Sequence, residues 1–202
     1  MFKAYTYIPG LAAVLLTGAA YADIPRHTCS DPNITPTTSS ERFTAIDDGS
    51  VVRHERTGLE WQRCAVGQSW NDDEARCDGS VTGHTWQEAL QEADAQDGWR
   101  LPDIKELRTI VEQCTREPAI NTEVFPDTPP FRYWSSSPVA ADPNKAWYVH
   151  FNAGHQRHIV DKDGINLAMD DNDLDMDDDD LDENGNNTDP FTVAVRLVRD
   201  GE

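Results

Sequence analysis

The stretch "TWQEALQEADAQDGWRLPDIKELRTIVEQC" (Thr85–Cys114) decides the fold class, because it starts two helices in succession in a chain otherwise patterned as strands. Thr85 followed three residues later by Glu88 forms a capping box, in which each side chain satisfies a backbone N–H that the first helical turn leaves open. Trp86, Ala89, Leu90 and Ala93 then recur at helical spacing and make one apolar stripe. Asp103 and Glu106 repeat the device. Ile104, Leu107, Ile110, Val111 and Cys114 share a face, which predicts a second helix reaching Cys114 with that cysteine turned toward the core.

On either side the period changes from helical to alternating. "RFTAI", "DDGS" and "VVRHE" read as a hairpin, and "TGLEWQRC" as a strand alternating at Leu59, Trp61 and Arg63. Cys64 to Cys77 encloses a loop too polar to hold its shape unaided. After Cys114 the Pro-rich run "EPAINTEVFPDTPP" excludes a long helix. "RYWSSSP" and "AWYVHF" follow as strands, the second placing Trp147, Val149 and Phe151 inward. "NAG" turns into "HQRHIV", and "TVAVRLV" closes the chain. Strands, two helices, then strands make an α+β domain, not a doubly wound one.

The N-terminus reads as a secretory signal peptide over residues 1–22. Lys3 supplies the basic region, Leu11–Leu16 the apolar one, and Ala20-Tyr21-Ala22 a cleavage site before Asp23. The apolar run is too short to span a bilayer. Residues 23–42 read as an irregular arm, and 43–202 as one domain. The formal net charge is −20, and Asp161–Asp189 supplies most of it with thirteen acidic residues and one lysine. This balance excludes nucleic acid, which needs a basic face.

Seven motifs, "TGLEWQRC", "TWQEAL", "GWRLPDIKELRTIV", "INTEVFPDTP", "YWSSSP", "AWYVHFNAG" and "VRLVRDG", occur in one order between Phe43 and Gly201. In this the chain resembles the C-terminal domain family named for the Legionella collagen-like protein, an adhesin. "GWRLPDIKEL" is also similar to a block of the formylglycine-generating, sulfatase-modifying family. These resemblances imply a C-type-lectin-like fold, with two helices flanking small antiparallel sheets, and a surface recognition module for which glycan binding is known in the founding adhesin. They supply no catalytic set, since none of the four cysteines lies in a segment matching the reactive pair of the formylglycine-generating enzymes. The acidic insertion, 161–190, departs from the family pattern.

Four cysteines in an exported chain read as two disulfides with three possible connectivities. A zinc site is the competing reading, and no CxxC is present to favour it. The expected pairs are Cys64–Cys77, closing the polar loop, and Cys29–Cys114, pinning the arm to the second helix. Arg100 is read as a structural partner of a carboxylate, with Trp99 and Leu101 packing. Ser135–Ser137 near His150, His155 and His158 lack the strand–turn–helix elbow of a nucleophilic serine. His150 and His158 could face each other across a hairpin and hold zinc, the plainer reading being exposed hairpin histidines.

Trp70, Tyr133, Trp134, Trp147 and Tyr148 are the aromatics available to stack on sugar rings, although alternation assigns Trp147 to the core. The ligand-binding expectation settles on Trp134, Tyr133, Tyr148 and Asn144, the last from an Asp-Pro-Asn triplet similar to that of calcium lectins. The acidic run offers a calcium loop, whose oxygens fall on alternate residues with a glycine after the third. Asp180, Asp182, Asn184 and Gly185 fit, with the Asn186 carbonyl next. The twelfth position is Phe191, and Asp189 stands in for the missing carboxylate. A solvated, self-repelling loop is the alternative. The expectation is thus an exported, non-catalytic recognition or adhesion module for glycans or surface proteins, with calcium as cofactor. The rivals are a calcium-dependent structural subunit of a surface assembly and an enzyme or accessory of the sulfatase-modifying group.

Overall fold

The computed structural model describes Cys29, residues 33–152, 155–161 and 193–201. The signal-peptide residues and the calcium candidates Asp180, Asp182, Asn184, Asn186 and Asp189 lie outside these. The arrangement is α+β, with two helices, small sheets and two disulfides. The first sheet holds β1 (Phe43–Ile46), β2 (Val51–His54), β3 (Leu59–Gln62) and β10 (Val198–Asp200), in that spatial order and all antiparallel. The second holds β8 (His155–Asp161), β7 (Asp142–His150), β6 (Arg132–Val139) and β9 (Val193–Ala194). Between them in sequence come the hairpin β4 (Gln68–Asn71) and β5 (Arg76–Gly79), then helices α1 (Trp86–Asp94) and α2 (Ile104–Leu107).

The closing segment, read as one strand, is split. Val193 and Ala194 pair in parallel with β6, and Val198–Asp200 then pair with β3. The three residues between bond to neither ladder in full: Val66 N–H donates to the Val195 carbonyl and Gln62 N–H to that of Leu197. One alternating run therefore stitches the two sheets together. Its side chains, Val193 to Val198, are all buried.

Two cores result. Trp61, Leu107, Ile110, Phe125, Tyr133, Val149 and Phe151 fill the space between the sheets. Ala89 and Ala93 of α1 pack with Leu101, Trp134, Tyr148, Val195 and Leu197. Each large apolar side chain so buried contributes roughly 1.5–3 kcal/mol. Both capping boxes form as read, with Thr85 accepting from Glu88 N–H and Asp103 from Lys105 and Glu106 N–H.

The second helix stops at Leu107, seven residues short of the expected end. A 3-10 turn (Arg108–Ile110) follows, and Val111 bridges Ile120 in extended backbone. Thr109, Ile110 and Val111 are consecutive β-branched residues, which crowd a helical turn. The Thr109 hydroxyl donates 2.6 Å to the Glu106 carbonyl. Glu112 then turns its carboxylate to the N-terminal arm (Thr37 and Thr38). Cys114 consequently lies beyond any helix, and it still meets Cys29 as expected, with S–S 1.98 Å. Cys64 pairs with Cys77 across the β4–β5 hairpin, which gives the polar loop its shape.

Alternation misplaces Trp147. Ala146, Tyr148 and Val149 are buried while Trp147 is only half-buried, and where the β7–β8 ladder slips between Ala146 and Trp147 the extra residue lies in β8. The same hairpin pairs His150 with His155 and Trp147 with His158. His150 and His158 are not opposite one another, which removes the register on which a zinc pair depended.

Three buried groups make stability depend on pH in one direction. His54 lies 4.8 Å from the Phe43 ring, and burial, then the charges of Arg56 and Arg42, lower its pKa, with Glu55 opposing. For Glu60 and Glu112, burial acts upward, but hydrogen bonds from Arg53 and Arg199 in one case and from Thr38, Thr37 and Cys114 in the other leave both lowered. A lowered folded pKa means the unfolded chain binds the proton more readily. The stabilisation is complete above the ordinary value and is lost as pH falls through the folded one. We expect the His54→Gln variant to show a flatter fall in melting temperature than the parent as pH drops below 6.5, the ordinary histidine value. Identical slopes in thermal melts across that range would refute the assignment.

Candidate functional site

An open groove of about 550 Å³ runs where β3, the β1–β2 turn, the β4–β5 hairpin, the end of α1 and β10 converge. Its aromatic lining is Trp70 from the hairpin and Trp99 from the segment after α1. Gln62, Gln68, Gln96, Glu92, Asp47 and Arg199 supply polar side chains, and Cys64–Val66 contribute to the lining.

Local chemistry fixes each wall. The Trp70 indole N–H donates 3.1 Å to the Asp48 carbonyl, and the Arg63 guanidinium lies 4.1 Å from the ring centroid. Gly49 sits against that ring with φ +82°, and a Cβ there would come 3.2 Å from Nε1. Only glycine meets both the backbone and the contact. Across the groove Arg199 stacks 4.6 Å from the Trp99 ring. Its Nε donates 2.7 Å to Glu60 and its Nη2 donates 2.6 Å to Asp47. Those hydrogen bonds hold its pKa above the usual value despite partial burial. Gln62 donates 2.7 Å to the Gln96 side-chain oxygen, tying β3 to the end of α1.

Of the residues singled out from sequence, few reach this site. Tyr133 and Trp134 have no exposed surface, and Tyr148 keeps 6%. None of the three presents a ring face to a ligand. Trp134 instead donates 2.8 Å to the His84 carbonyl, and burial pushes the Tyr133 phenol up to about 12 against the pull of nearby Arg196. The strand hydrophobicity that marked these rings as stacking candidates is what buries them. Asn144 is exposed, its N–H donating to Asp142, and it does not line the groove. Trp70, named among the possible stackers, does line it. Trp99, read as packing only, was missed.

Other constellations resolve structurally. Arg100 forms a bidentate pair with Glu106 at 2.7 and 2.8 Å and reaches Asp200 at 2.8 Å, as read. Ser135 donates to the Trp147 carbonyl, and Ser137 accepts from Ile104 N–H at the start of α2. These serines brace strand and helix. Cys29, Glu112 and Cys114 bring a carboxylate and two sulfurs within 4.8 Å of one another. Their sulfurs are joined as a disulfide, so they are not thiolate ligands.

A family model described as the Lcl C-terminal domain matches residues 50–166, more than half of the chain. The chain belongs to the Lcl C-terminal domain family. The match begins at Ser50, ahead of β2, runs through both helices and β6–β8, and ends at Asn166. Asp47 and Arg199, paired across the groove, fall on either side of it. No curated protein and no solved structure matches the chain. The likeness to the sulfatase-modifying group and the C-type-lectin-like arrangement thus rest on sequence motifs. Membership in the Lcl C-terminal domain family carries a coarse functional class, a surface or adhesion-type module. The two disulfides suit an exported protein. Among the described residues no helix is long and apolar enough to cross a membrane.

Proposed function

We propose that this Lcl C-terminal domain protein is an exported, non-catalytic recognition module that holds a glycan in the groove between Trp70 and Trp99. The groove's composition carries the reading. Sugars present apolar CH faces and many hydroxyls, which suit indole faces beside planar amides and carboxylates. Gln62, Gln96, Glu92 and Asp47 provide those planar groups around the two rings. The pairing of all four cysteines in disulfides supports the non-catalytic reading over the oxidase one.

Screening the protein on a glycan array, in calcium and in chelator, tests this. A defined glycan should be retained by the parent and lost in the Trp70→Ala variant with its fold intact. An array with no retained glycan would defeat the reading. Calcium binding by Asp180, Asp182, Asn184, Asn186 and Asp189 is a separate proposal, supported by their spacing alone. Calorimetric titration of the folded protein decides it: no calcium heat and an unmoved melting temperature would remove the cofactor.

A further inference from the structure

We infer that Asp127, an exposed acid outside the groove lining, is the positioning residue for the Trp70 wall. The placement of the ring rests on contacts within the protein, and only its consequence for binding rests on the glycan reading above. Trp70 stands in a two-stranded hairpin separate from both four-stranded sheets. A lone hairpin is marginally stable in water, so its orientation has to come from tethers to the body. The Cys64–Cys77 disulfide is one of these. It holds a side chain, whose rotatable bonds let the strand tilt about the bridge. The indole's bond to the Asp48 carbonyl aims the ring once the strand is in place.

Asp127 supplies the contact that stops the tilt. In the hairpin register Cys77 lies directly opposite Trp70. The Cys77 N–H donates 2.9 Å to Asp127 Oδ2, so the residue across from the indole is held by its backbone as well as by its sulfur. The Asp127 carbonyl accepts 3.1 Å from the side-chain amide of Gln68, in the other strand. One residue thus grips both strands. Its own position is fixed from the core. Phe125 and Thr128, on either side, are buried, and the Thr128 hydroxyl donates 2.8 Å to the Phe125 carbonyl. Asp127 has φ +50°, a left-handed backbone that Gly, Asn and Asp accept more readily than other residues. The same segment also supports the ring through Arg63, which lies 4.1 Å from the Trp70 centroid and donates 2.7 and 2.8 Å to the Val124 and Glu123 carbonyls. The turn from Glu123 to Thr128 is therefore the template against which the Trp70 wall is set.

Two variants of the full chain test this. Asp127→Gly removes the carboxylate and keeps the backbone freedom, and Asp127→Asn keeps an acceptor oxygen as well. Both lose the same charge, so rescue by asparagine separates the hydrogen bond from the charge. Each is oxidised with N-bromosuccinimide, and mass spectrometry assigns the modified tryptophans. Loss of the hydrogen bond should speed oxidation at Trp70 about tenfold in the glycine variant. Trp99 on the opposite wall and the fully buried Trp61 and Trp134 should keep the parent rates. Asp127→Asn should stay within about twofold of the parent at Trp70. On the same glycan array, the glycine variant should lose the glycan that the parent retains, and the asparagine variant should keep it. Parent rates at Trp70 in the glycine variant, equal speeding in both variants, or equal speeding at Trp61 and Trp134 overturn the positioning role. Faster oxidation confined to Trp70, with a parent that retains no glycan, upholds that role and defeats the glycan reading alone.

Discussion

The Arg196→Met variant is expected to lose about 3 kcal/mol of unfolding free energy, and Arg196→Ala roughly 5 kcal/mol. Arg196 is fully buried in the link between β9 and β10. Its Nη1 donates to the Gln62 and Arg63 carbonyls and its Nη2 donates 2.7 Å to the Thr128 hydroxyl. Its guanidinium lies 4.9 Å from the Phe125 ring centroid and 5.9 Å from that of Tyr133. No carboxylate pairs with it among the described contacts, and burial lowers its pKa. The charge is therefore held by carbonyl dipoles and ring faces.

Methionine fills the volume and recovers the cost of desolvating a cation, but it removes charge-assisted hydrogen bonds worth about 1.5–3 kcal/mol each. Alanine adds a cavity at the seam where the two sheets meet. Denaturant unfolding of both variants measures the losses. A methionine variant as stable as the parent would mean that desolvation cancels the hydrogen bonds, and that the cation does not hold the seam.

Glu112→Gln is expected to cost about 2–4 kcal/mol although it changes one atom. Glu112 has no exposed surface, and its carboxylate accepts from five donors. Oε1 takes Thr37 N–H at 3.0 Å, the Thr37 hydroxyl at 2.9 Å and Cys114 N–H at 3.2 Å. Oε2 takes Thr38 N–H and the Thr38 hydroxyl, both at 2.9 Å. A glutamine must turn an NH2 toward donors on one side, leaving two donor groups facing each other without an acceptor. The same residue cluster carries the Cys29–Cys114 disulfide, with its sequence separation of 85. Carboxylate and disulfide thus fasten one arm to one point, and their losses should not add. Thermal or denaturant unfolding of Glu112→Gln, with and without Cys29→Ser, gives the coupling. A loss under about 0.5 kcal/mol in the single variant, the range of ordinary surface changes, would contradict the role assigned to the carboxylate.

Local chemistry made part of this architecture legible. Both helix starts follow from residues three apart, and the Arg100–Glu106 pair lies within one helical turn of its cap. The Cys64–Cys77 bridge closes a short loop, and the arm's cysteine had one distant partner left. The end of α2 was legible too, in the run Thr109-Ile110-Val111, but the apolar spacing that continues through it outweighed that signal. The half-burial of Trp147 had no such mark, because it depends on how β7 fits between its two neighbours.

The groove was not legible at all. Trp70, Gln62, Gln96, Trp99, Asp47 and Arg199 come from five separate segments, and no spacing rule relates them. Aromatics flanked by apolar strand residues looked available for a ligand, yet those are the rings that the sheets close upon. The same blindness hides Arg196 and Glu112, whose importance lies in distant backbone groups that the chain brings to them.

By itself, then, the sequence determined the class of the fold, the helix caps and the family, since each depends on periodicity, short spacing or ordered motifs, and it pointed to the cysteine pairs that the structure shows. Only the tertiary structure decided which aromatics face water, which arginine is buried and which are spent on partners. Those outcomes depend on burial and on contacts between segments up to about 150 residues apart, such as Asp47 with Arg199.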